Sequence, residues 1–580
     1  MPAKEITPLV LDTLGIFGLN SQQSPTALPE QWLVKANNII IDRDGKISNR
    51  KGFKQISEGL TSNINSIGAF DRGNGVEGIF VADSNKIYLL ESTDYPKVLT
   101  EVAEYSTNVN SSSKGQFINF NSKFYFFANG TDPLVYNPGS STFEELTDDE
   151  DYNPPFSYVD FDPNCGTAAF ARLWAGGVSK SPNVLYYSDI LIGNNWLPFG
   201  TDVTASYNTQ ATCEEQGNFW DGVNNVCYSG VSGAGMVDLG TVWGSDRIVA
   251  IQSFMDTLVI FGTENIVIFS NPQDPFNMEI YELIRGVGLK GRDTVQAIGD
   301  DLVFLSNSGL RSLSRTVTSD GKMPLRELSI NIKKELNQLI TGTSPEDNFG
   351  VYCLCGGFYL LSFPSRKLAY YFDFSSINQD GTPRITKFDL SAPDDIIGIG
   401  NSELHAGVST INGDLYLIRK GTFGITPATR YGVCLYTGDK DTYVNVESGN
   451  EVDATFPFSF KTTWIDFGNQ AVSKIFKKFI GIFDGGKNAT IDLTWYSDYN
   501  PTGTTISDID LEPTAVGTDS IWGTAVWGTA TWGATYLPTE YKYSMSKTGK
   551  TLQLEISGVI DDYPLGINNI TIHAKMGKIL

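Results

Sequence analysis

Short apolar runs separated by tight polar turns recur along this chain. Residues 249–254 are followed by a turn at Asp256-Thr257, the run 258–261, a turn at 262–265 and the run 266–269. The same phrase returns at 295–298, 302–305 and 310–313, at 117–120, 124–127 and 134–136, and at 351–355, 358–363 and 368–372. Such strand–turn–strand phrases are antiparallel meanders. Their return at intervals of roughly fifty residues predicts the blades of a β-propeller. Seven candidate meanders begin near Asn65, Gly115, Ala168, Ile248, Asp293, Gly350 and Ile396, with an insertion around 191–245.

The flanks have a different rhythm. Residues 1–60 read as an N-terminal arm broken by Pro8, Pro25 and Pro29, with a short helical piece over 29–36. A hairpin follows over 37–53, with its turn at Asp44-Gly45. Beyond 422, apolar and polar residues alternate at 491–496, 552–556 and 570–575, which predicts a C-terminal β-sandwich or barrel. Leu328, Ile332, Leu336, Leu339 and Ile340 fall at helical spacing with Ser329 as a cap, and predict one helix packed on the propeller's side. The fold class is therefore all-β: a propeller-like array of antiparallel meanders over 61–421, between an arm at 1–60 and a sandwich at 422–580.

Charge narrows the choice of partners. The chain has 66 Asp+Glu against 42 Lys+Arg, a net charge of -24. Tight nucleic-acid binding works through Lys and Arg on phosphates, so this balance argues against a DNA grip, though not against contact with DNA. It suits a surface past which DNA slides, and equally a large protein kept soluble by its charge. The residues 1–11 do not form a secretory leader, and no run reaches the ~18 apolar residues of a membrane helix. Synthesis and folding in a cytoplasm are expected. Against the acidic background, Arg43, Lys46, Arg50, Lys51 and Lys54 form a basic cluster on the hairpin, either a solvated face or a docking surface for an acidic neighbour.

No enzyme signature survives inspection, and no cofactor is implied. Residues 481–488 have the glycine and lysine spacing of a phosphate loop but lack its Ser/Thr, and a strand follows. Residues 188–196 resemble an Asp-box turn with its glycine misplaced. Two histidines leave little room for a catalytic triad, and Asp394-Asp395 and Asp561-Asp562 read as turns. Six cysteines make no disulfide scaffold or zinc site. Cys213 and Cys227 nonetheless bracket a short polar excursion, as a disulfide or as two free thiols. Trp522, Trp527 and Trp532 recur every five residues in a Trp-Gly ribbon. They either pack on the protein or a neighbouring subunit, or stay exposed for sugars or a membrane interface.

Several phrases together resemble the nozzle proteins of short-tailed bacteriophages, also called tail tubular protein B or packaged-DNA stabilisation proteins. They are Gly18-Leu19-Asn20, the hairpin from Asn37-Asn38 to Arg50-Lys51-Gly52, and 185–189, 307–313 and 464–468. The resemblance spans most of the chain through motifs that are individually weak. It implies a virion structural protein and not an enzyme: a hexamer below the portal and adaptor of the tail. Its partners would be copies of itself, the tail adaptor, tail fibres or a spike, and genomic DNA passing without sequence recognition. Membrane contact would fall at the tip, and an acidic lumen would favour conduction. The rival readings are a receptor- or glycan-binding propeller of a virion or cell surface, and a glycosidase with two carboxylates in a cleft.

Overall fold

A computed structural model of the chain describes residues 6–579 apart from 12, 73–74, 92–94, 106–113, 149–151, 153, 156–160, 199–202, 222–224, 230–232, 315–326, 392–399, 424–427, 439, 445–450, 487–488, 513–514, 517–534, 537 and 561–563. The chain is 56% strand and 8% helix, an all-β protein. Blades 1 to 4 are four-stranded meanders, running from Ser66–Asp71 to Leu99–Glu104, Gln116–Phe120 to Thr142–Glu145, Cys165–Ala169 to Gly235–Asp238, and Ile248–Phe254 to Glu279–Arg285. Blade 5 has three strands, Gln296–Ile298, Asp301–Ser306 and Gly309–Ser312. Blade 6 runs from Phe349–Cys353 to Pro383–Asp389, and blade 7 holds Gly400–Ser409, Leu415–Phe423 and Ala428–Tyr436.

The first strands of the blades meet in sequence around an axis; the turn Arg292–Thr294 stands in for blade 5 between blades 4 and 6. Gly400–Ser409 lies against Ser66–Asp71, so the ring closes. An N-terminal strand completes blade 7: Phe53–Gln55 pairs antiparallel with Ala428–Tyr436. Sequence-distant strands thus share the last sheet, which locks the ring against opening at its seam. Apolar side chains fill the gaps between blades. Phe70 and Phe80 of blade 1 interlock with Phe124, Phe126 and Phe143 of blade 2, and Phe117 stacks on Phe124 with centroids 5.2 Å apart. The hairpin turns match the strand twist: Asn121 and Ser122 take φ 45° and 61°, the left-handed pair that a two-residue hairpin loop requires.

The flanking segments fold together. Ile6–Leu11 pairs with Leu565–Ile579, and Trp32–Asn37 pairs with Phe456–Thr462. Two sheets face each other as a sandwich, with Phe458, Phe460 and Leu554 among the core side chains shared with Phe476, Phe479 and Ile572. The N-terminal arm is therefore integral to the sandwich. The helical piece expected at 29–36 is instead a strand, because pairing with Phe456–Thr462 outweighs local propensity. Trp32–Asn37 also meets blade 6 in parallel at Asn37↔Lys387, so one ten-stranded sheet runs from propeller into sandwich. Blade 7 continues past 421 to Tyr436 and carries the further hairpin Asp441–Val444 with Glu451–Ala454, which moves the sandwich boundary from 422 to about 455.

The expected helix forms at Lys333–Gly342 after a 3₁₀ turn at Ile330–Ile332. Ser329 does not cap it; its Oγ accepts from the backbone N–H of Leu310 and serves the edge of blade 5. Leu336 and Ile340 join a core shared by Leu305, Leu361 and the sandwich, so the helix is a wedge between the two bodies. Charge divides along the same joint. Residues 56–455 carry 49 Asp+Glu against 25 Lys+Arg, whereas the remainder carries 17 of each. The whole net charge of -24 therefore sits on the propeller, and the sandwich is neutral.

Candidate functional site at the propeller axis and its joint

The first strands converge on an axial cavity of 160 Å³, walled by Ser66, Gln116, Gln252, Asp293, Gln296 and neighbours from six of the seven blades. Carboxamides tie the walls together. Gln116 Oε1 accepts from the Gly166 N–H at 2.9 Å, and Gln296 Nε2 donates to the Gly350 carbonyl at 3.1 Å. Two cations brace the wall: Arg292, which is part of it, and Lys114, buried behind it. Arg292 donates to the carbonyls of Lys114, Gly115 and Asn164 and to the carboxylate of Asp293, so all its N–H groups are committed. Lys114 Nζ donates to the carbonyls of Asp347 at 3.1 Å and His405 at 3.0 Å. These cations staple blades 2, 3, 5, 6 and 7 where strand ends would otherwise leave carbonyls unpaired.

Burial lowers the Lys114 ammonium from 10.5 to about 8, against the pull of Asp293. The sign of its effect on stability follows. Between about 8 and 10.5 the unfolded chain binds the proton that the folded one has lost, so this group makes folding more favourable as pH rises. Relative to a Lys114→Met variant, the wild type is expected to gain roughly 3 kcal/mol across that window. Unfolding midpoints of both proteins at pH 7.5 and 10 check this; parallel changes would show that Lys114 does not titrate there.

Nearby, Glu403 accepts from His405 and Lys420, each at 3.0 Å. The His405 bond, with help from Lys420, holds its carboxyl down at about 2 against its burial. Burial lowers the His405 imidazole in turn. Tyr431 packs against His405 and Lys420, and no cluster of His, Cys, Asp or Glu among the described residues is arranged for a metal. The axis is a polar, stapled hub with no assembled catalytic constellation among its described residues.

The second polar centre lies where propeller, closing strand and sandwich meet. Arg50 forms a two-pronged ion pair with Asp441, both bonds 2.8 Å, and both side chains are buried. The guanidinium lies 3.9 Å from the ring centroid of Phe456 and 4.5 Å from that of Phe53. Asn38, at φ 54°, accepts from Arg50 and donates to the carbonyls of Asp389 and Pro457, one in blade 6 and one in the sandwich. Burial pushes the Asp441 carboxyl up, but Arg50 and Arg419 outweigh it and leave the group below its ordinary value. A Cβ on Gly52 would run into the Lys440 carbonyl, so only glycine fits there.

The expected basic docking cluster is therefore divided. Arg50 is withdrawn into the joint, because its charge is needed opposite buried Asp441. Lys46 pairs with Asp484 at 2.7 Å and Lys54 with Glu451 at 3.4 Å; Arg43 and Lys51 stand exposed. Cys213 and Cys227 are bonded, their Cα atoms 5.7 Å apart and both buried. They join the helix Gln210–Glu215 to the strand Val226–Tyr228 within an insertion between the third and fourth strands of blade 3. Replacing both with Ser is expected to cost about 3 kcal/mol locally. Protease cleavage should then appear within 203–228 while the main unfolding transition stays in place; loss of the whole protein would show that the insertion supports the propeller. Trp522, Trp527 and Trp532 lie outside the described residues, as do Asp394-Asp395, Asp561-Asp562 and the last two residues of the phosphate-loop-like segment. Arg292 and Lys114 escape sequence reading: each is a lone cation beside a blade's first strand, without a motif.

No protein-family model and no curated protein sequence matches the chain. Among solved structures it is similar to the Pan2 WD40 domain of Neurospora crassa (TM-score 0.36, 8% identity, covering 67% of this chain and 96% of that one). It is also similar to the Cps50 (Swd1) β-propeller domain of Myceliophteria thermophila (TM-score 0.34, 10% identity, covering 66% and 99%). A third is PorZ, a surface component of the type-IX secretion system of Porphyromonas gingivalis (TM-score 0.31, 10% identity, 70% of this chain). The chain spans 39% of PorZ. At these TM-scores the likenesses lend no function, and the seven-bladed ring rests on the sheet pairings themselves.

Proposed function

We propose that this protein is a non-catalytic structural component of a virion, a subunit of the ring-shaped nozzle of a short phage tail. One observation carries the reading: the phrases that resemble nozzle proteins fall on bonds that make this architecture. A Cβ on Gly18 would stand 2.8 Å from the backbone N and O of Ile385 in blade 6. The hairpin from Asn38 to Gly52 builds the joint around Arg50 and Asp441. Ser188 Oγ accepts from Leu173 N–H inside blade 3, and Ile465 exchanges backbone bonds with Leu552 of the sandwich. Such residues specify a propeller locked to a sandwich of both flanks, whereas motifs scattered over loops would support no common architecture.

The division of charge fits a conduit in which acidic propellers repel phosphate. The purified protein is expected to form rings of six in electron micrographs and to occupy the distal end of tails that lack their own nozzle. A protein that stays monomeric and does not attach to such tails would sink the reading. The second reading, a receptor- or glycan-binding propeller, is favoured by the axial cavity with its carboxamide walls. Saturable binding of a defined glycan, lost on Gln252→Ala, would select it.

A further inference from the structure

The exposed large apolar side chains of the propeller are not spread evenly. In an antiparallel blade, the turns between strands one and two and the loops between strands three and four lie at the same end. Ile190 and Leu191 of blade 3 and Met255, Phe276, Ile280 and Tyr281 of blade 4 stand at that end as the largest group, with Leu354 and Ile377 of blade 6 and Ile411 of blade 7 at the same end further around the ring. Met255 is 67% exposed, Phe276 61% and Tyr281 66%. Leu191 is at φ 59°, a strained state for a leucine, and is held by its N–H to the Ala171 carbonyl and by Asn121 Nδ2 to its own carbonyl. Asp189, Asp256, Asp274 and Glu279 rim this patch.

The sandwich presents the opposite chemistry. The outer face of its sheet runs in register rows across Ile6, Lys575 and Ile475, then His573 and Lys478, then Val10, Thr571, Ile480 and Lys542. Ile6 and Val10 are about half exposed, and the neighbouring charges in these rows are cations. This face interleaves apolar Ile6, Ile475, Val10 and Ile480 with the cations Lys575 and Lys478, while Lys542 is paired with Glu540, whereas the patch is apolar with acidic side chains around it. Blades 3 and 4 lie three and two places around the ring from blade 6, where the sandwich is fused. Each subunit thus carries two different, complementary faces on different sides.

We propose that the blade 3–4 end of one copy docks on the outer sandwich sheet of the next. The contact is heterologous, and repetition of such a contact closes a ring when its rotation allows. Charge complementarity between the acidic patch and Lys478 and Lys575 sets the orientation, and the apolar side chains of both faces supply the affinity. The inference rests on the ring reading above and adds the interface to it.

Two variants test it: Ile280→Lys with Tyr281→Lys on the patch, and Lys478→Glu with Lys542→Glu on the sheet. All four side chains lie on the surface, and thermal unfolding checks that each variant is folded. Alone, each is expected to lose self-association about tenfold or more in sedimentation velocity. Mixed, they are expected to form a 1:1 complex and nothing larger, because each keeps one intact face. Independently, Tyr281→Cys combined with Lys478→Cys should give intermolecular disulfides under mild oxidation, whatever the charge-reversed variants do. If wild-type rings persist in both variants and no cross-link forms, the ring reading stands and this interface is wrong. If the wild type is monomeric and neither a mixed complex nor a cross-link forms, both are wrong.

Discussion

An Arg50→Met variant is expected to be less stable than the wild type by about 3–5 kcal/mol, because it strands the buried Asp441 carboxylate. Methionine fills much of the volume, so the loss is mainly electrostatic. The pair joins the closing strand, blade 7 and the sandwich; its removal therefore weakens the seam as well as one contact. The dependence on pH has a definite sign. In the wild type the Asp441 carboxyl lies below its ordinary value, so its contribution is complete above the ordinary carboxylate range and is lost as pH falls through the folded value. In the variant only the more distant Arg419, 3.8 Å away, still opposes burial, so the carboxyl rises and protonation relieves part of the cost. The gap between the two proteins should narrow on acidification. Denaturant midpoints at pH 7 and pH 4 measure both effects; a cost below about 1 kcal/mol at pH 7 would mean that water or Arg419 compensates Asp441.

Removing residues 1–55 is expected to abolish the folded state. The deletion strips Phe53–Gln55 from blade 7, Trp32–Asn37 from the ten-stranded sheet and Ile6–Leu11 from the sandwich. It also exposes Leu33, Ile39, Ile41 and Phe53 partners that are now dry. A ring with an open seam has unpaired strand edges, which favour aggregation. The measurement is soluble yield and thermal unfolding of the truncated chain. A soluble protein with one cooperative transition near the wild-type temperature would show that the propeller closes without its N-terminal strand.

Much of this architecture is written in local pattern. The meanders at 249–269 and 117–136 become blades 4 and 2 because four-to-six-residue apolar runs with tight turns can only pair with their neighbours. The alternation at 491–496 and 552–556 becomes paired sandwich strands for the same reason. Strand period and hairpin turns are properties of adjacent residues, so the sequence alone states them. Trp32–Asn37 shows the limit: the sequence reads there as a short helical piece in an irregular arm, and pairing with Phe456–Thr462, over four hundred residues away, together with Gly18–Leu19 and blade 6, makes it a strand. The basic cluster shows a second limit. Arg43, Lys46, Arg50, Lys51 and Lys54 look alike in sequence, yet Arg50 is buried because Asp441 arrives from blade 7.

The division follows from the range of the forces. Period, turn chemistry and composition determined the all-β class, the seven meanders and the separate character of the flanks. Tertiary structure decided which edges pair over long separations, where Lys114 and Arg292 lose water, and that the entire net charge belongs to the propeller while the sandwich is neutral. Burial and ion pairing depend on segments that meet only after the chain has closed the ring, and no local pattern records that meeting.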